Sequence, residues 1–273
     1  MNTSVTPPRP HATDCSPPAA RSCQMPSLLH ITWILAKQHM MPLSDFIVSL
    51  AGSTALLMAQ FAFLGGLDTS GEALRYLVLA RTAFAFSGGQ DLERFLIDSY
   101  MDGSLMMDAI APPHPFTLIG VRALAAALVS AASTLPGVLT AAFIFGGLPS
   151  LTPARAALYT ASILLVWLAA TGISLITSSI GISLRQGEAA VQLRVFVTQL
   201  ASGALIPVYL YPEWAQELLR AFPFVHLADT PVAIALGEGV RVMYPQITWS
   251  LILLAAGAAL WGRRFARLDI YGG

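Results

Sequence analysis

Charge is what this chain has least of. Asp, Glu, Lys and Arg make up 11% of its 273 residues, against 55% hydrophobic residues, where a soluble domain carries about 25% charged residues. That excludes an ordinary soluble domain and, with a mean hydropathy of +0.66, indicates an integral membrane protein. Formal net charge is zero, so no bulk attraction to nucleic acid is expected. Lysine is nearly missing, with Lys37 standing alone among the basic residues, the rest of which are arginine. Cysteine is confined to Cys15 and Cys23 near the N-terminus. Their spacing is not CxxC and the nearest histidine is His11, so a metal or redox site is not indicated.

Catalytic motifs are lacking as well. The chain has no GxxxxGK[ST], so nothing on it can cradle ATP phosphates. It has no HExxH and no GxSxG elbow. The five histidines are scattered, and three of them (His11, His30, His39) precede the first apolar span. An intramembrane hydrolase needs a nucleophile and a base on neighbouring helices, and neither His226 nor His114 offers that pairing. We expect no enzymatic activity, no cofactor and no metal on this chain.

What is present is a set of apolar stretches near the roughly 20 residues that cross a bilayer. Four are clear: about Phe46–Leu67, Phe116–Leu148, Ala156–Leu184 and Gln192–Leu210. Tyr244–Trp261 is short but clean, and Leu74–Gly88 carries Arg75 and Arg81. The expected fold is therefore an all-α integral membrane protein with six transmembrane helices. Of 15 Lys and Arg, ten then fall on the side of the two termini. Arg75, Arg155, Arg220 and Arg241 fall on the other, and Arg81 lies within a span. This bias places both termini in the cytoplasm.

Residues 1–26 hold six prolines and little apolar material, too little for a core. They read as a disordered N-terminal tail, or as upstream translation with Met25 as the true start. Residues 27–42 carry Leu28, Ile31, Leu35 and His39 at helical spacing, with Trp33 suited to the headgroup region. They read as an interfacial helix on the cytoplasmic side, or as the ragged beginning of the first span. Residues 43–273 form the transmembrane domain.

Several polar features need an explanation. Arg81 inside a span is either a partner for an acidic group or cavity, or a snorkelling side chain of a short tilted helix. Thr171, Ser174, Ser178, Gly181 and Arg185 fall on one helix face. Small and hydroxyl residues there let helices approach closely, with a pathway wall as the second reading. Gln192, Gln199 and Ser202 share a face of the next helix and should meet a partner helix or a wet cavity.

Two segments are neither spans nor ordinary loops. Ile97–Pro113, IDSYMDGSLMMDAIAPP, is too polar to span. Asp102-Gly103 supplies a turn, Leu105, Met106, Ala109 and Ile110 an apolar face, and Pro112-Pro113 a stop, which reads as a short cytoplasmic helix. Ser202–Glu238, SGALIPVYLYPEWAQELLRAFPFVHLADTPVAIALGE, breaks at Pro207 and Pro212, forms an amphipathic piece, and breaks again at Pro223 and Pro231. An open turn cannot lie against lipid with its amides unsatisfied, so this segment is buried in protein or lines a wet cavity.

In this order, the two segments and the basic tail Arg263-Arg264-Phe265-Ala266-Arg267 resemble the type-2 ABC exporter permeases, from about Leu43 to the end. The first two spans depart most from that family. The resemblance implies the membrane subunit of a bacterial inner-membrane exporter, paired with a second permease as a homodimer or heterodimer. ATP and Mg would be held by a separate ABC ATPase. It implies a coupling helix through Asp102, Gly103, Leu105, Asp108 and Pro112, docked on that ATPase. It further implies an outer gate at Leu205, Ile206 and Pro207 within a re-entrant segment, and a cavity lined by Gln192, Gln199 and Ser202. Membrane lipid is an expected partner and nucleic acid is not; drug-like amphiphiles or lipids are the first guess at substrate. A secondary transporter, which would need intramembrane carboxylates and internal repeats, and a non-transporting scaffold are the competing readings.

Overall fold

The computed structural model describes residues 43–67, 71–88, 90–103, 115–145 and 149–268. Every regular element among these is helical. The α-helices are α1 (Leu43–Leu67), α2 (Glu72–Ala85), α3 (Asp91–Met101), α4 (Pro115–Phe145), α5 (Pro153–Leu184), α6 (Gly187–Ala201), α7 (Glu213–Ala221), α8 (Asp229–Leu236) and α9 (Met243–Leu268). Short 3-10 turns occur at Val208–Leu210, Pro223–Leu227 and Val240–Val242. Among the described residues, three stretches are long and apolar enough to cross a membrane: Phe116–Phe145, Pro153–Leu184 and Val240–Phe265. Leu50–Phe63 within α1 is a shorter apolar run. The tail and interfacial helix expected over residues 1–42 lie outside the described residues.

The central pillar is α5. Thr152 opens it as N-cap, its hydroxyl accepting from the Arg155 amide at 3.4 Å, and Pro153 fills the first helical position where no N–H is needed. Arg185 closes it in the left-handed region at φ 53°, where Gln186 N–H reaches Gly181 O at 3.1 Å. That reversal sends the chain directly into α6. Along its length α5 packs most closely against α9, and two glycines set the spacing. A Cβ on Gly172 would sit 2.6 Å from Leu253 O, and one on Gly257 would sit 2.6 Å from Gly172 O. No larger residue fits at this crossing, which is how small residues bring membrane helices together.

The polar stripe on α5 resolves as packing. Thr171, Ser174 and Ser178 are buried. The Thr171 and Ser178 hydroxyls donate back to Trp167 O (2.8 Å) and Ser174 O (2.7 Å), so neither costs an unpaired group. A Cβ on Gly181 would meet Gly187 Cα at 3.1 Å, so α6 folds tightly against the end of α5. Arg185, expected on the same face, is exposed at the cap.

The stretch from Leu74 to Gly88 is helical over most of its length: α2 is 14 residues long and ends at Ala85, Gly88 turns at φ 78°, and a further helix, α3, begins three residues later. Glu72 to Met101 is thus a helix broken in the middle, and Ile97–Met101 belongs to the end of α3 rather than to a separate cytoplasmic helix. The helix expected from Gln192 to Leu210 ends nine residues early, at Ala201. Gly203 at φ 84° ends the helical geometry, and Pro207, which has no N–H to donate, prevents its resumption. At the other end α9 runs to Leu268, beyond the expected Trp261.

Candidate functional site: a held turn and a helix lever

The irregular stretch Ser202–Pro207 is held by several other elements: some of its backbone groups find partners within the turn, on α8 and on α1. From within, the Ser202 hydroxyl accepts from Ala204 N–H at 3.2 Å, and Ser202 O accepts from Asp229 N–H of α8 at 3.2 Å. From α1, the Gln60 side-chain amide donates to Ala204 O at 3.3 Å and to Leu205 O. From α2, Tyr76 packs against Gly203, where a Cβ would meet the Tyr76 hydroxyl and would sit 2.8 Å from Val208 Cγ2. The Tyr76 hydroxyl in turn donates to Asp229 Oδ1 at 2.6 Å. The open backbone of this turn is thus held by protein groups, as an apolar setting requires.

Arg81 completes this arrangement. It is buried, and its guanidinium donates to Gln60 Oε1 at 2.6 Å. Of the two readings open from the sequence, partner or snorkelling cation, the geometry selects a partner, and that partner is an amide rather than a carboxylate.

Beyond the turn, the proline-punctuated segment is built as two short helices with a 3-10 turn between them. The amphipathic piece expected between Pro212 and Pro223 is α7, with Ala215 buried and Trp214 and Leu218 exposed. Pro223–Leu227 is anchored by Gln246 of α9, which is fully buried. Its amide donates to His226 O (3.0 Å) and Ser162 O (3.2 Å), while its carbonyl accepts from the Ser162 hydroxyl at 2.8 Å. Between this segment and the start of α2 lies a cavity of about 790 Å³ with both signs of charge, lined by Glu72, Arg75, Arg220, Asp229 and Glu238 among others.

The opposite end is organised by α3. Leu92, Leu96 and Ile97 enter one apolar cluster with Ile182 of α5, Val191 of α6 and Trp261 of α9. Within the same contact, Glu93 is fully buried and accepts from the Arg194 guanidinium of α6 at 2.5 Å. One residue on, Arg94 pairs with the exposed Glu188 in the first turn of α6 at 2.7 Å. Burial separates the two pairs: the exposed bridge is screened by water and contributes little, whereas losing one partner of a buried pair costs about 3–5 kcal/mol.

The residues expected at the coupling segment are only partly in view. Asp102 and Gly103 form the turn after α3, with Gly103 at φ 78°, while Leu105, Asp108 and Pro112 lie outside the described residues. Leu205, Ile206 and Pro207 lie together in the held turn, with Pro207 buried and Ile206 exposed. The three residues expected along a cavity occupy different settings. Gln192 is exposed and donates to Glu188 at 2.8 Å, Gln199 is partly buried, and Ser202 is fully buried as the internal cap of the turn.

Sequence reasoning missed Gln60, Tyr76, Glu93 and Gln246. Gln60 and Gln246 carried a signal, since each is an amide within an apolar stretch, where an unpaired amide is costly. Glu93 carried none, because its burial follows from the unforeseen helix α3.

Helices of bilayer length, packed on glycines and joined by backbone held in protein, define a polytopic helical membrane protein. The model of the ABC-2 family transporter protein matches residues 95–272, and the chain belongs to this family. It is a membrane component of an ABC transporter, and membership implies partnership with an ABC ATPase subunit. No curated protein matches the chain. The matched segment begins within α3, so Gln60 and Arg81 both precede it.

Proposed function

We propose that this chain is the six-span permease subunit of an ATP-driven exporter in a bacterial inner membrane, with both termini in the cytoplasm. α1, α4, α5 and α9 are four of the spans; α2 with α3 is a broken fifth, and α6 with the turn after it the sixth. A second permease, identical or different, completes the pathway, and lipid surrounds the pair. ATP and Mg are bound by the separate ATPase. The substrate is an amphiphile, drug-like or lipid.

The observation that carries this reading is the family match; the connection from α3 to the turn at Ser202 supplies a mechanism. The segment from Asp102 to Pro112 docks on the ATPase. When the ATPase closes, the push enters α3, whose buried Glu93–Arg194 pair passes it to α6 as a rigid shift rather than a bend. α6 leads directly into Ser202–Pro207, so movement at one mouth alters the gate at the other. Leu205, Ile206 and Pro207 form that gate, and Gln192, Gln199 and Ser202 line the route at the seam between the two permeases.

The test is a mild-detergent pull-down of the tagged chain from its native host. Recovery of an ATPase, alone or with a second permease, supports the exporter, and substrate-stimulated ATP hydrolysis by the recovered complex separates it from a scaffold. Recovery of this chain alone across several lipid and nucleotide conditions overturns the proposal in favour of a scaffold or a secondary transporter.

A further inference from the structure

Gln60 and Arg81 lie outside the family match, yet they meet at the backbone of the proposed gate. Arginine has donors only, and an amide has one carbonyl acceptor and one amino donor. Because Arg81 donates to Gln60 Oε1 at 2.6 Å, the carbonyl end of Gln60 is committed, and the amino group must point the other way. It points at Ala204 O and Leu205 O. These carbonyls sit past the last turn of α6, where no helical N–H reaches them. Arg81 therefore sets the orientation of an amide that satisfies the gate's own backbone.

We propose that Gln60, oriented by Arg81, is a latch that holds the Ala204–Leu205 turn in its closed position. For the turn to open, both carbonyls must leave the Gln60 amide and find another donor, so the contact opposes opening. Gln60 and Arg81 are positioning residues and need not touch substrate. The inference rests on the reading of Leu205–Pro207 as the gate.

The chemistry supplies a discriminating substitution. Gln60→Glu keeps an acceptor for Arg81 and adds charge to that contact, but it removes the donor and places an anion against two carbonyl oxygens. A structural role in securing Arg81 survives this change, whereas the latch does not. Gln60→Asn is a second, uncharged variant, one methylene too short to serve Arg81 and the turn together.

The measurement uses the full chain reconstituted in liposomes with its ATPase, with Cys15→Ser, Cys23→Ser and a Leu205→Cys probe. The rate of reaction with a membrane-impermeant maleimide from the outer side is compared between parent and variants. Removing the two Gln60 hydrogen bonds to the turn should speed labelling by at least roughly five-fold, the effect of about one net bond, and Gln60→Glu should exceed Gln60→Asn. Unchanged rates in both variants, in protein that stays monodisperse, overturn the latch. If one variant fails to fold, the other carries the comparison. Failure of the gate reading looks different: labelling of the L205C probe in the parent would then be the same with and without ATP turnover.

Discussion

The carboxylate of Glu93 accepts a hydrogen bond from the Arg194 guanidinium at 2.5 Å across 101 residues of sequence, with Glu93 fully buried. The contact joins α3 to α6. Taking one partner away leaves a charge in an apolar cluster, at about 3–5 kcal/mol. Glu93→Ala and Arg194→Met, each alone, should therefore lower the apparent Tm of the purified protein by several degrees or abolish its recovery. Replacing both at once by apolar residues of similar size should restore much of that loss. Arg94→Ala, which breaks only the exposed bridge to Glu188, should shift the Tm far less than either change at the buried pair. Equal losses from Arg94→Ala and Arg194→Met would contradict this ranking.

Gly203 is required twice over. Its φ of 84° is disfavoured for any residue with a Cβ, by about 1–2 kcal/mol, and the new methyl would run into Tyr76 and Val208. Gly203→Ala should reduce stability and displace the gate turn. Combining it with Tyr76→Phe should not restore the loss, because the backbone strain and the Val208 contact remain and Asp229 loses its donor. Thermal unfolding of the single and double variants checks this; a silent Gly203→Ala would mean that the turn adopts another conformation.

How much of this was legible beforehand depends on whether a residue's role is local. The starts and ends of α4 and α5 could be read closely, since Pro115, Pro153 and long apolar runs act within their own helix. The amphipathic α7 was readable between its prolines. The end of α2 near Gly88 was readable too, but the helix α3 after it was not, because its apolar face is matched by residues of α5, α6 and α9 far along the chain. The early end of α6 was half legible: the prolines were noticed, but the deciding residue is Gly203, whose left-handed turn is imposed by Tyr76 from 127 positions earlier. Likewise Arg81 could be seen as anomalous, while its partner Gln60, on a different helix, could not be named from spacing.

The α5–α9 crossing depends on atoms that are absent. At Gly172 an added methyl would sit 2.6 Å from the Leu253 carbonyl oxygen, and a backbone atom in a helix cannot step aside as a side chain can. Gly172→Leu should therefore force the two longest-contacting helices apart, at a cost above the roughly 1–3 kcal/mol of ordinary overpacking. The expected result is aggregation or loss of a monodisperse peak in size-exclusion chromatography. Gly120→Leu serves as a control, since nothing lies within 4 Å of a Cβ there, and it should leave the elution profile unchanged.

The coupling proposal makes the sharpest functional prediction. Asp102 ends α3 and forms the turn with Gly103, and Asp108 follows in the segment proposed to dock on the ATPase. Asp102 is exposed and lies outside the apolar cluster that holds α3 to α5 and α6, so reversing its charge should leave that packing intact. It should instead weaken the docking contact, where complementary charge sets register between partners. Asp102→Lys with Asp108→Lys should give a complex that still hydrolyses ATP but no longer moves substrate. A proline inserted between the two positions should act in the same direction, because it fixes φ and removes a backbone donor within the proposed docking segment. Transport and hydrolysis measured in one preparation decide the matter. Transport retained at the parental rate removes this segment from the coupling route, and hydrolysis lost together with transport means that assembly, rather than coupling, has failed.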